Sequence, residues 1–287
     1  MEWLSKSKIM IVGLGLIGGS YARALSRLGF SVSAIDTKES SIEYALENGI
    51  IESGYTYPDA AAIGEADAVI FALYPKVFKE WIAENQHLLK PGAMLSDVTG
   101  VKSPIVYDIQ NMLRDDVEFI AAHPMAGREV YGVENSDDRI FRDSNYIIVA
   151  TEKNTEAAIE WCRSLGHLLG CARTPVLSPE EHDEMIGFVS QLTHCIAVAL
   201  MTCSDNGHLV EYTGDSFRDL TRIARINDAM WSELFLMNRE PLLRQMDIFI
   251  KECTELRDML EKEDSEGLRA KMRLSTERRA LFDRKKR

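Results

Sequence analysis

Ile9-Met10-Ile11-Val12-Gly13-Leu14-Gly15-Leu16-Ile17-Gly18-Gly19 opens a stretch, ending at Asp36, whose reading decides the fold. Lys8 to Val12 is a short apolar run of strand type that stops abruptly at the glycines. Residues 20–28 have helical spacing, with Tyr21, Ala24, Leu25 and Leu28 on one face. Val32-Ser33-Ala34-Ile35 is a second strand, and Asp36 closes it. In this order Gly13 permits the tight turn, Gly15 lets a pyrophosphate reach the backbone, and Gly18 lets helix and strand pack closely. The phosphates are expected on the N–H groups at the helix start, where Leu16 and Ile17 lie. Asp36 accepts hydrogen bonds from both ribose hydroxyls and repels a 2′-phosphate, which points to NAD rather than NADP. The glycine spacing alone says little. Framed by strand, helix and terminal acid, it specifies a dinucleotide site.

The pattern then repeats. A helix over 40–48 ends at Gly49. Ala68-Val69-Ile70-Phe71-Ala72-Leu73 is an unbroken apolar run, as in a parallel strand covered on both faces. Leu73 and Tyr74 lie at its carboxyl end, where loops line the cofactor crevice. Helices over 77–89, 104–113 and 155–169 alternate with strands over 93–96, 118–122, 145–150 and 172–176, which predicts a doubly wound α/β sheet.

At Leu177 the pattern changes. Ser178-Pro179-Glu180-Glu181 is a helix start with an N-cap serine, a first-turn proline and a capping box. No strand is apparent beyond it, and helices are expected over 179–205, 216–224, 228–238, 240–262 and 265–285. The expected fold class is therefore α/β, a Rossmann-type domain over 1–177 followed by an all-helical domain over 178–287. Leu242, Leu243, Met246, Phe249, Ile250, Cys253, Leu256, Met259 and Leu260 make a wide apolar stripe on the long helix. So small a domain is expected to bury that excess against a second copy in a two-fold homodimer. The alternative is that the stripe packs only within its own domain. The tail Arg284-Lys285-Lys286-Arg287 reads as a solvated helix end that complements the macrodipole.

Bulk properties narrow the function classes. A chain of 287 residues with 46% hydrophobic and 27% charged residues suits a soluble protein with two buried cores. A net charge of −12 argues against a nucleic-acid partner, which needs a basic surface. No apolar run in the sequence approaches the roughly 20 residues of a membrane helix. The first strand begins at Lys8, which leaves no room for a signal peptide. The five cysteines, odd in number and without a CxxC pair, read as reduced packing residues of a cytoplasmic protein, and no metal is expected.

Ligands in such folds bind where the carboxyl ends of the strands meet the second domain. The strand over 118–122 delivers His123 to that rim, where a histidine serves either as a general base or as a structural residue. His182 and His194 follow on the first helix of the second half, not quite on one face and not spaced as a zinc site. Arg222, flanked by apolar residues, is either held in an internal ion pair with Asp219 or presents a planar fork to a substrate carboxylate.

Almost end to end, the chain resembles the prephenate and arogenate dehydrogenases of tyrosine biosynthesis. The resemblance lies in Val12-Gly13-Leu14-Gly15-Leu16-Ile17-Gly18-Gly19-Ser20, Asp97-Val98-Thr99-Gly100-Val101-Lys102, His123-Pro124-Met125-Ala126-Gly127, His182-Asp183, Ser190-Gln191-Leu192-Thr193-His194, Phe217-Arg218-Asp219-Leu220-Thr221-Arg222-Ile223-Ala224 and Met230-Trp231. It implies NAD-dependent oxidative decarboxylation of prephenate to 4-hydroxyphenylpyruvate, or of arogenate to tyrosine, with prephenate favoured. It makes His123 the base on the substrate hydroxyl and Arg222 the grip on a substrate carboxylate. It places His194 and Glu129 at the substrate site, and Trp231 either near that site or in the core. Gly100 departs from the family pattern, which has a serine hydrogen-bonded to the catalytic histidine; Thr99, Ser103 or a water is expected to substitute. Arg128 stands where threonine is common. Neither the N-terminal mutase extension nor the C-terminal regulatory domain of some relatives is expected. An ammonium-bearing substrate would draw on Asp215 or Asp219. The rival readings are another NAD(P) dehydrogenase of the β-hydroxyacid or imine-reductase type and a non-catalytic NAD-binding regulator.

Overall fold

The computed structural model describes residues 7–282. The tail Arg284-Lys285-Lys286-Arg287 lies outside the described residues. Six parallel strands, β1 (Lys8–Val12), β2 (Ser31–Ile35), β3 (Ser53–Tyr55), β4 (Ala68–Phe71), β5 (Met94–Asp97) and β6 (Glu118–Phe119), line up in the order 3-2-1-4-5-6. Helices α1 (Leu16–Arg27), α2 (Glu39–Glu47), α3 (Ala60–Glu65), α4 (Pro75–Asn85) and α5 (Ser103–Met112) join them. Alternating side chains feed opposite faces of the sheet. Ile9, Ile11, Ala68 and Ile70 enter a core that includes Tyr21 and Leu25 of α1. Met10, Val12, Val69 and Phe71 enter a second core with Phe78 and Ile82 of α4 and Ile105 of α5. Both faces are thus covered, which is why the strands read as continuous apolar runs.

The strand expected over 118–122 proves to be shared between two sheets. It bends at Ile120, whose N–H still donates to the Leu95 carbonyl (3.0 Å). The chain then continues as β7 (Ala121–Pro124), which pairs antiparallel with β8 (Tyr146–Val149). Residues 125–144 contain only short 3-10 turns, and without a helical crossover the chain returns antiparallel. After α6 (Glu156–Leu168), β9 (Val176–Leu177) adds to β8 in parallel.

Ser178 then caps α7 (Pro179–Ile186) with the full capping box. The helix passes through a π-helical turn, Gly187–Leu192, into α8 (Thr193–Thr202). Short α9 (Leu209–Tyr212) and α10 (Asp215–Thr221) precede α11 (Asp228–Met237). The helix Pro179–Thr202 spans 24 residues and contains an 18-residue window of mean hydropathy 1.6. By length and composition alone that window is apolar enough to cross a membrane, a stretch not expected from the sequence. The first turns of the helix nevertheless bury His182 and Asp183 in polar contacts with the sheet domain.

The chain divides into two compact units, Met1–Asn238 and Arg239–Arg287. The composition of the sequence changes at Leu177, yet α7 and α11 pack with the sheet, where Ile186, Leu234 and Met237 join the second core. The later unit is a hairpin of α12 (Arg239–Glu261) and α13 (Ser265–Ala280). Within it Lys271 bridges Glu252 (2.8 Å) and Glu255 (2.6 Å). Much of the predicted stripe, including Ile250 and Leu260, is exposed in the single chain. All five cysteines are free thiols, but only Cys162 and Cys171 are buried, so the expectation of five packing residues fails at Cys203 and Cys253.

Candidate active site

The sheet order reverses between β1 and β4, and the glycine turn sits at that switch point. Gly13 has φ +97°, and a Cβ there would lie 2.5 Å from the Ala72 carbonyl oxygen and 3.0 Å from Leu73 Cδ2. A Cβ on Gly18 would lie 1.9 Å from the Gly13 oxygen, whereas one on Gly15 would meet nothing within 4 Å. Two glycines thus exist for close packing and one for approach from outside. Helix α1 has no side-chain cap and no acid in its first turn, so no capping side chain competes for its leading N–H groups. The Asp36 carboxylate is fixed by the N–H groups of Leu14 (2.6 Å) and Lys38 (2.8 Å) beside this turn. These residues fit a dinucleotide. Tyr74, the N-cap of α4, is exposed, and Leu73 before it lies against Gly13.

His123 leaves β7 with its Nδ1 2.9 Å from Nε2 of His182 on α7. His182 Nδ1 is 2.8 Å from Asp183 Oδ1. Asp183 in turn accepts the N–H groups of Lys102 and Ser103, each at 2.8 Å, at the start of α5. The Lys102 ammonium, wholly buried, donates to both oxygens of buried Asp97 (2.9 and 2.8 Å) and to the Ala122 carbonyl (2.6 Å), one residue before His123. Burial, then the neighbouring His182 and Lys102, hold the His123 imidazole well below its ordinary value, so it is neutral near pH 7. Burial also lowers His182, although Asp183 works against the shift. Burial opposes charge on Asp183, but the His182 and Ser103 hydrogen bonds outweigh it and hold the carboxyl below its usual range.

Arg222 lies in a 3-10 turn, Arg222–Ala224, that follows α10. Its Nη1 pairs with Glu129 Oε1 at 2.5 Å, and the two side chains are 65% and 37% exposed. Glu129 belongs to the loop that follows β7, so the short segment from His123 to Glu129 carries the imidazole and reaches the guanidinium. His194 stacks on Trp231, with ring centroids 3.7 Å apart, and its Nδ1 meets the Ser190 carbonyl (2.9 Å). Burial lowers its basicity, while Glu129 and Arg222 act on it with opposite signs, which places all three groups in one neighbourhood.

Several expectations need correction. Arg222 is exposed and pairs with Glu129, not with Asp219 in the interior. Trp231 is half-buried against His194 and is not a core tryptophan. Thr99 is buried, and its hydroxyl is engaged by Asp97, the Val101 carbonyl and Lys102, so it does not replace the family serine. The Ser103 N–H serves Asp183. The group on His123 is His182, which sequence spacing left without a role. The adjacent pair His182-Asp183, one turn beyond a strong N-cap, was the available signal. Its partner across 59 residues was not visible.

A glycine turn suited to a dinucleotide, a neutral imidazole bonded to His182 and a guanidinium paired with Glu129 define a nicotinamide-dependent dehydrogenase. The family model "Prephenate dehydrogenase, nucleotide-binding domain" matches residues 21–172, and "Prephenate dehydrogenase, dimerization domain" matches 178–274. The chain is 30% identical to a prephenate dehydrogenase of Bacillus subtilis over 92% of its own length and 72% of the relative's. It is 33% identical to one from Lactococcus lactis, over 91% and 73%. The crystal structure of prephenate dehydrogenase from A. aeolicus in complex with hydroxyphenyl propionate and NAD+ superposes with a TM-score of 0.87 at 30% identity, covering 97% of this chain and 99% of that one. The chain belongs to the prephenate dehydrogenase family.

Proposed function

We propose that this protein is an NAD-dependent prephenate dehydrogenase, converting prephenate to 4-hydroxyphenylpyruvate and carbon dioxide. The observation that carries this reading is the His123 imidazole near the end of β7, braced from behind by His182 and Asp183. NAD, when bound, supplies the hydride acceptor. His123 takes the proton of the substrate 4-hydroxyl as a general base and returns it to the phenolic oxygen once decarboxylation has made the ring aromatic. Arg222 exchanges Glu129 for a substrate carboxylate, and His194 and Trp231 form the wall beside it.

The functional division follows the sequence, with residues 1–177 holding the nucleotide and 178–287 forming the substrate and dimerisation half. The exposed apolar stripe on α12 supports a homodimer, and the free thiols support a cytoplasmic location. Arogenate would want a carboxylate for its ammonium. The similarity to two prephenate dehydrogenases, at 30% and 33% identity, favours prephenate.

Steady-state NADH formation with prephenate and with arogenate, each with NAD and NADP, tests the reading. The expected result is the highest kcat/KM with prephenate and NAD. Tight NAD binding without turnover of either substrate would leave a nucleotide-binding regulator.

A further inference from the structure

We propose that His182 is a positioning residue that locks His123 into the one tautomer able to act as base, with Asp183 as the anchor of the chain. The inference rests on the reading of His123 as the base.

The argument follows from donor and acceptor counting. Asp183 is the fixed end. It already receives two backbone N–H groups at the start of α5 and is held ionised, so it only accepts. Neutral His182 must therefore carry its proton on Nδ1 to donate to Asp183 at 2.8 Å. Its Nε2 is then a bare lone pair. That lone pair faces His123 Nδ1 at 2.9 Å, so His123 must place its own proton on Nδ1. The remaining lone pair of His123 is on Nε2, on the opposite edge of the ring from His182. A base needs that nitrogen free to accept. With the other tautomer, Nε2 would carry a hydrogen and two lone pairs would face each other inside the protein.

The chain's surroundings hold it still. His182 is fully buried and Asp183 nearly so. The Asp183 carbonyl accepts from Asn238 Nδ2 (2.9 Å), which also donates to Gln191 Oε1 (2.7 Å) in the π-helical turn. Lys102 ties the Ala122 carbonyl next to His123 to Asp97. Gly100 offers no side chain in this neighbourhood, and a Cβ there would meet only Leu234, at 3.6 Å. Among the described residues, His182 is the side chain seen hydrogen-bonded to His123.

The test begins with the unmodified protein. Nitrogen-15 spectra of histidine-labelled enzyme near neutral pH should show both His123 and His182 protonated at Nδ1. A proton on His123 Nε2 would overturn the proposal without any variant. His182→Leu, which removes the acceptor, should shift the His123 proton toward Nε2 and lower kcat about 10–100-fold, with KM and NAD affinity within about twofold. His182→Gln keeps a carbonyl oxygen where Nε2 stood, so it should restore the Nδ1 tautomer and most of kcat. Loss of activity in both variants with an unchanged His123 spectrum would assign His182 a merely structural role. Absence of prephenate turnover in the unmodified enzyme would instead defeat the functional reading and leave the tautomer result intact.

Discussion

Around His123 the polar groups are buried and paired, whereas around Arg222 the charges stand in water. Lys102 and Asp97 are wholly covered, and Asp183 and His182 continue the network to the imidazole without a solvent gap. Arg222 and Glu129 meet with 65% and 37% of their side chains exposed. In a low-dielectric interior a proton acceptor can be aimed once and kept aimed. A charge in water is easily moved and weakly held. On the proposed reading, the half of the site assigned the chemistry is preset, and the half assigned substrate capture is left exchangeable.

The strongest way to break this contrast is to remove the preset group. His123→Asn should lower kcat by about 10²–10⁴-fold with NAD affinity nearly unchanged, as read by single-turnover kinetics and cofactor titration. The burial that keeps His123 neutral also fixes a pH dependence. The base is lost only when His123 is protonated, and its basicity is depressed, so the acid limb of kcat/KM should lie well below the ordinary imidazole value of about 6.5. A limb at or above that value would mean that its surroundings do not depress the imidazole.

The network beneath it should carry stability as well. Asp97→Asn leaves the Lys102 ammonium buried beside a neutral amide, and breaking a buried pair in this way costs about 3–5 kcal/mol. Urea unfolding should show it as a lower midpoint at unchanged slope. His123 and His182 sharpen the point. Both are less basic in the fold, so on acidification below about pH 6.5 the unfolded chain binds protons that the folded chain refuses. Stability from these histidines is present above that pH and falls as pH drops. The exposed side should behave differently. Arg222→Gln should raise KM for prephenate by an amount equivalent to about 2–5 kcal/mol once the bound carboxylate is desolvated. Its unfolding midpoint should stay near that of the unmodified protein, because an exposed pair contributes little to the fold.

The same contrast explains what could be read from the sequence. The glycine turn, strands and capped helix starts are local, and each was legible because a single residue decides each one. Gly13, Gly18 and Ser178 are examples. The antiparallel return of β8 was hidden because it depends on 125–144 not forming a helix. In the proposed site, His123 and Arg222 are picked out by the stretches that resemble the family. The His123–His182 contact was not, because it joins a strand end to a helix 59 residues on, and nothing local to either residue encodes the distance. Thr99 looked available as a hydroxyl and is not, since the buried Asp97–Lys102 pair claims it.

The smallest effect is also the most diagnostic of the open side. Glu129 occupies the guanidinium that the proposed function assigns to a substrate carboxylate, so on that reading substrate must displace it. Exposed pairs are worth about 0.2–1 kcal/mol. Glu129→Gln should therefore lower KM for prephenate by no more than about fivefold and leave kcat unchanged. Salt screens the pair in the unmodified enzyme, so the difference between the two proteins should shrink as ionic strength rises. A KM that rises instead would show that Glu129 orients Arg222 for the substrate and does not compete with it. In that case the capture side, too, would have to be counted as preset.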